Sequence, residues 1–307
     1  MILYASTNPL VGWQAIAAGC KPLLLSGKGN EKRSDTGLYA NGRLWLFGGS
    51  QVDMYAPGNK VYSVPLTWRP GNPAPPDLPQ WVDHGPAKWE PRMGHGVVWF
   101  KSRIWIIGGL DQNGNPLQEV WSMAVPPGTL PARRQPKWER SADAPWPPRC
   151  MLQPVVFDNK VWLFGGVKQP GAATTYQDMW TFDGTTWAEQ RLTGSIFNQR
   201  QHSTAGALVV DHSGRLCLFV KRETSNAKDQ SRLSELLGFR LDPRLQVWTC
   251  LDTDRLHQDQ WGGNDTFSLQ IINFRKRMLA ARALRPHLDG EPVPPLWLHV
   301  NRKGDAS

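Results

Sequence analysis

Apolar residues recur along this chain in short runs bounded by turn residues, with no sustained helical spacing. The runs Arg43 to Gly49 (RLWLFGG), Arg103 to Gly109 (RIWIIGG) and Lys160 to Gly166 (KVWLFGG) are short and rich in aromatic and branched residues, and each predicts a strand. Another apolar run precedes each copy, clearest at Gly96 to Phe100 and Gln153 to Phe157. An aromatic run follows, at residues 61–64, 119–123 and 178–182, and then a tryptophan opens a last strand, at Trp81, Trp138 and Trp187. Each copy therefore predicts a four-stranded antiparallel sheet. Two further copies lack the glycine pair. Arg215 to Lys221 carries Val220 and Lys221 in its place, followed by Leu237 to Leu241 and Trp248; Arg277 to Arg282 is followed by Leu296 to Val300 with no Trp strand after it. Met1 to Ala18 has the opposite character: an aromatic strand, a turn at Asn8-Pro9 and a strand opened by Trp13.

Self-similarity at a fixed period is the signature of a repeat architecture. The order of strands, the paired glycines and the Trp resemble the kelch repeat. That resemblance implies an all-β, kelch-type β-propeller of four-stranded antiparallel blades, a single domain over residues 1–307. Blades are expected near 33–90, 91–145, 148–193, 200–252 and 261–300, with residues 1–30 as closing strands and linker, the N-terminal strands completing the C-terminal blade. The first glycine of each copy, or its equivalent, falls near 48, 108, 165, 220 and 282. Their spacing, about 60, gives five blades, and the usual kelch spacing of about 50 leaves six as the alternative. The glycines are expected to take positive φ and admit neighbouring backbone, with the outer-strand Trp filling the space left open. Trp45, Trp105, Trp121, Trp162 and Trp180 are expected between blades.

Composition agrees with many short strands and tight turns: Gly 29, Pro 26 and Trp 16 in 307 residues. Cys20, Cys150, Cys217 and Cys250 form no CxxC pair and read as buried free thiols. No basic segment precedes Lys21 and no apolar run approaches the ~20 residues of a bilayer span, so a cytoplasmic protein without membrane contact is the expectation. The net charge of +9 is dispersed, with the densest clusters at Lys32-Arg33, Arg133-Arg134 and Arg275 to Arg277. That argues against a nucleic-acid partner, which would leave a long basic stripe. The sequence leaves the oligomeric state open.

Candidate chemistry lies at the lead-in to the innermost strand of each copy, where the loops of a propeller meet its channel. These are Arg33-Ser34-Asp35, Arg92 to His95, Arg149 to Met151, Arg200 to Ser203 and Asn264 to Thr266, the last preceded by Trp261. Arg33, Arg92, Arg149, Arg200, Trp261 and Asn264 are the candidate ligand-binding residues: converging guanidinium groups suit a carboxylate or phosphate. The alternative is that each Arg ties adjacent turns, as the Pro-Arg…His lead-in of the kelch pattern does. Asp35, His95, His202 and Asp265 are the candidate acids and bases. No HxH, HExxH or Glu-x3-Asp-x3-His string occurs, so neither a metal nor a cofactor is expected. Two functions fit: a stand-alone propeller gripping a small molecule or peptide at the channel mouth, or a cofactor-independent isomerase, lyase or cyclase acting on a small metabolite there. Pro65 to Pro79 and Lys221 to Arg232 read as surface insertions that can cover one face.

Overall fold

The computed structural model describes residues 3–8, 12–17, 36–49, 57–65, 79–125, 136–169, 176–191, 203–210, 213–225, 232–242, 244, 247–251, 269–274, 277–282 and 296–300. Every regular element among them is a strand, and no helix there is long and apolar enough to cross a membrane. The chain divides into two compact units, Met1–Cys150 and Met151–Ser307.

The first unit holds β1 (Leu3–Asn8) and β2 (Gly12–Ala17), which pair with each other. Two four-stranded antiparallel meanders follow: β3 (Thr36–Ala40), β4 (Arg43–Phe47), β5 (Lys60–Pro65) and β6 (Val82–Pro86), then β7 (Gly96–Phe100), β8 (Arg103–Leu110), β9 (Pro116–Ala124) and β10 (Trp138–Arg140). In the second unit β11 (Val155–Phe157), β12 (Lys160–Phe164), β13 (Met179–Phe182) and β14 (Trp187–Gln190) form a third such sheet. A fourth comprises β15 (Ser203–Val210), β16 (Leu216–Ser225), β17 (Arg232–Asp242) and β18 (Val247–Leu251). Strands β19 (Leu269–Phe274), β20 (Arg277–Arg282) and β21 (Leu296–Val300) make a three-stranded sheet. Four sheets thus have the strand order that the repeat predicts, including the copy whose glycines are replaced.

The first hairpin of each regular sheet turns on two residues of positive φ: Asn41 and Gly42, Lys101 and Ser102, Asp158 and Asn159. Such turns match the right-handed twist of the flanking strands. The tryptophan three residues after each turn, on the second strand, then points inward and donates its Nε1 to a carbonyl five residues earlier. These bonds are Trp45 to Ala40 at 3.3 Å, Trp105 to Phe100 at 3.1 Å and Trp162 to Phe157 at 3.0 Å. One apolar core joins the two meanders of the first unit through Trp45, Phe47, Trp89, Ile104, Ile106 and Trp138. The second unit has its own core around Trp162, Phe164, Leu218, Phe239 and Trp248. Trp45, Trp105 and Trp162 are buried as expected, whereas Trp121 and Trp180 are only half-buried. They lie one strand further out, where their indole nitrogens reach polar partners.

All six paired glycines, Gly48-Gly49, Gly108-Gly109 and Gly165-Gly166, have positive φ. A Cβ on Gly48 would lie 2.8 Å from the Arg92 carbonyl oxygen and 2.9 Å from that of Gly58; on Gly109 it would lie 2.9 Å from the His95 Cβ. The close approach expected of these glycines is therefore real. What occupies the space is neighbouring backbone and His95, and not the outer-strand Trp that the repeat suggested.

The polar insertion after Val220 proves to be a β-ribbon: β16 and β17 stay paired through Arg222–Glu235, Thr224–Leu233 and Ser225–Arg232. Cys150 and Cys217 are buried free thiols, and burial pushes the Cys150 thiol up to about 12. The Pro65 to Pro79 insertion falls mostly outside the described residues.

Candidate functional site

Among the sequence-derived site residues the structure describes Arg92, His95 and Arg149. Arg33, Asp35, Arg200, His202, Trp261, Asn264 and Asp265 lie outside the described residues.

Arg92 follows β6 in a Trp-x-Pro-Arg segment, Trp89 to Arg92, whose proline stiffens the approach to the next blade. Its side chain has no solvent exposure. The guanidinium donates from Nε to the Glu90 carbonyl at 3.1 Å, from Nη1 to the Gly108 carbonyl at 3.1 Å and from Nη2 to Glu119 Oε2 at 2.5 Å. It also lies over the Trp89 ring, 5.7 Å from the centroid. The same segment recurs as Trp146 to Arg149, where Arg149 donates to the Pro147 carbonyl at 3.2 Å and sits 5.0 Å from the Trp146 centroid, again fully buried. In this geometry both arginines stack on a tryptophan and tie turns together, the structural role that the lead-in pattern allowed.

His95, placed three residues after Arg92 at the start of β7, is 1% exposed. It packs 5.9 Å from the Trp89 ring and within the space left by Gly48 and Gly109. Burial, reinforced by the Arg92 charge, lowers its pKa from 6.5 to about 3. A histidine so held is neutral at physiological pH and has no surface from which to exchange a proton with a ligand.

Glu119 was not singled out from the sequence, yet it organises this region. One oxygen accepts from Arg92 and from Trp121 Nε1 at 3.0 Å; the other lies 3.4 Å from Arg140 Nη2, which also pairs with Asp143 at 2.7 Å. A chain of alternating charge therefore runs from a fully buried Arg92 to an exposed rim. Burial opposes the Glu119 charge, but the bonds from Trp121 and Arg92 and the two arginine charges outweigh it and hold its pKa below the usual glutamate value. In the second unit Asp178 accepts from Trp180 Nε1 at 2.8 Å. The shared spacing, an acid two residues before the strand tryptophan (Glu119-x-Trp121, Asp178-x-Trp180), is the signal by which sequence alone would find both.

A second polar cluster lies in the first sheet. Arg43 Nε donates to Ser63 Oγ at 3.0 Å, and Ser63 Oγ is 2.7 Å from His84 Nε2, whose ring stacks on Trp45. A serine bonded to a histidine invites a nucleophile reading, but two observations oppose it. Ser63 has no solvent exposure, and a hydroxyl stands opposite the inward tryptophan in all three regular sheets: Ser63 across from Trp45, Ser122 from Trp105, Thr181 from Trp162. A feature repeated in all three regular sheets serves the sheet. Among the described residues no group of three or more His, Cys, Asp or Glu side chains is placed to hold a metal ion.

A family model described as the KLHDC2/KLHL20/DRC7 Kelch-repeats domain matches residues 44–270, from the first glycine strand into β19. No curated protein matches the chain.

Proposed function

Because the chain belongs to the family of kelch-repeat domains, we propose that it is an interaction module that binds a peptide segment of another protein through the loops at the lead-in end of its blades, and releases it chemically unchanged. The observation that carries this reading is the state of His95. It is the one candidate acid or base among the described residues, and it is buried, neutral and packed against glycine. The acid–base chemistry required by an isomerase or lyase has no support there. Arg92 and Arg149, engaged with Trp89, Trp146 and nearby carbonyls, supply rigid walls. Ligand contacts are then assigned to the remaining lead-in residues, Arg33, Asp35, Arg200, His202, Trp261, Asn264 and Asp265. Arginines at two of these positions favour an acidic segment.

The architecture assumed is a ring of five blades in which residues 1–18 complete the last one. Deleting those residues exposes a sheet edge and is expected to lower the melting temperature and promote aggregation; an unchanged midpoint would remove the closure from this reading.

A displayed library of random peptides, panned against the full chain and followed by calorimetry on synthetic copies of the enriched sequences, tests the function. The reading expects saturable 1:1 binding of acidic peptides, recovered intact, with affinity reduced about tenfold (~1.4 kcal/mol) on replacing Arg33 or Arg200 by Gln. Enrichment of no sequence, or recovery of a chemically altered peptide, would overturn it.

A further inference from the structure

The lead-ins of the second and third regular sheets follow one burial pattern. Trp89, Arg92, Met93 and His95 are buried in the second, and Trp146, Arg149, Cys150 and Leu152 at the same spacing in the third. Between the last two members of each set stands one half-buried residue of positive φ: Gly94 at 60° and Met151 at 57°. The angle belongs to the lead-in, since it is kept whichever residue holds the position. In the second sheet the chain must turn there, between the bridge of Met93 to Leu110 and the start of β7.

Glycine adopts this conformation without penalty, whereas the Cβ of a methionine is driven toward the following carbonyl oxygen. Among the described residues, the other non-glycine residues of positive φ, Asn41, Lys101, Ser102, Asp158 and Asn159, all sit in two-residue hairpin turns, which require it. Met151 alone of these lies outside such a turn, at a position where the repeat itself offers glycine. A strained backbone of this kind is kept where the side chain it carries is put to use. That side chain is partly open to solvent, while Cys150 and Leu152 on either side are 0% and 5% exposed. It is also unbranched and polarisable, able to fit apolar and aromatic partners of varied shape.

We infer that Met151 is a ligand contact at the lead-in end, receiving an apolar side chain of the acidic peptide, so that the site selects an apolar residue beside the acidic ones. The inference rests on the peptide reading above. Its test uses a synthetic acidic peptide enriched by panning on the full wild-type chain, and a copy with its apolar residue replaced by Ala. Met151→Gly relieves the backbone, so its thermal midpoint is expected to equal that of wild type or exceed it by up to roughly 3 °C. Its affinity for the peptide is expected to fall about tenfold. Met151→Leu, which keeps the apolar bulk, is expected to bind within about threefold of wild type. The Ala copy should bind wild type as weakly as the parent peptide binds Met151→Gly, and lose nothing further on that variant. A midpoint lowered by Met151→Gly would assign the side chain to the fold, and an unchanged affinity would remove it from the site. Either result, or enriched peptides that share no apolar position, overturns the inference while binding by wild type leaves the peptide reading standing. Failure of wild type to bind any enriched peptide overturns both.

Discussion

Arg92 and Glu119 meet at 2.5 Å, the arginine without solvent exposure and the glutamate side chain 22% exposed. The pair joins the lead-in of β7 to the start of β9 within one blade, and the Gly108 carbonyl completes the arginine's shell. Removing the carboxylate charge leaves a buried guanidinium facing a neutral amide. Glu119→Gln is therefore expected to cost about 2–3 kcal/mol, read by urea unfolding. Because the folded pKa of Glu119 lies below its ordinary value, the stabilisation is complete above the unfolded pKa near ~4.3 and is lost as pH falls through the folded one. Wild type should lose stability across that acidic window faster than the Gln variant does.

His95 titrates in the opposite chemical sense but with the same direction of pH dependence. Its folded pKa of about 3 lies below the model-histidine value of 6.5, so the unfolded chain binds the extra proton first. Stability is full above pH 6.5 and falls progressively toward pH 3. His95→Gln should flatten the fall between pH 6.5 and about 4.5, above the range where carboxylates dominate, when unfolding free energy is plotted against pH. A wild-type curve already flat over that interval would mean that His95 is solvated.

The blades were legible in the sequence because a strand's inward residues repeat every second position, and Trp45, Trp105 and Trp162 mark the same point of three copies. The degenerate fourth sheet was legible too, since Leu218, Phe239 and Trp248 preserve the apolar pattern that the lost glycines do not affect. The candidate site was less so. Arg92 and His95 occupy positions from which a ligand contact and a turn-tying role read identically, and only burial separates them. Glu119 went unrecognised because a single glutamate two residues before a tryptophan carries little weight until the bonds from Trp121 and Arg92 are seen. The ribbon formed by β16 and β17 read as a polar loop because Lys221 to Ser225 is polar throughout and carries no apolar alternation from which a strand is read.

Two glycines of similar backbone conformation separate the cost of strain from the cost of crowding. Gly42 has φ +74° with nothing within 4 Å of a built Cβ, whereas Gly48 has φ +56° with two carbonyl oxygens at 2.8 and 2.9 Å. Gly42→Ala carries only the left-handed penalty, about 1–2 kcal/mol. Gly48→Ala must also displace the Arg92 and Gly58 backbone, and is expected to cost at least ~3 kcal/mol, with loss of the Gly49 to Arg92 amide bond seen as faster hydrogen exchange at Gly49. Equal penalties at the two sites would show that the strands relax freely there.

The difference in burial between the inner and outer tryptophans gives the last expectation. Trp45 is fully buried, stacks with Phe47 at 6.2 Å and with His84 at 5.3 Å, and bonds to the Ala40 carbonyl. Its loss removes a large apolar body from the core that joins the two meanders, and the β-strand backbones around it have little freedom to collapse into the void. Trp45→Ala should cost roughly 3–5 kcal/mol. Trp180 is half-buried and keeps its indole nitrogen on the Asp178 carboxylate at 2.8 Å. Truncating it opens no closed cavity, and the freed carboxylate can turn to water, so Trp180→Ala should cost about 1–2 kcal/mol. Denaturant midpoints of the two variants decide the matter, because unchanged slopes would attribute the shifts to stability alone. A Trp180 variant as unstable as the Trp45 variant would mean that the outer tryptophan is sealed by another part of the chain.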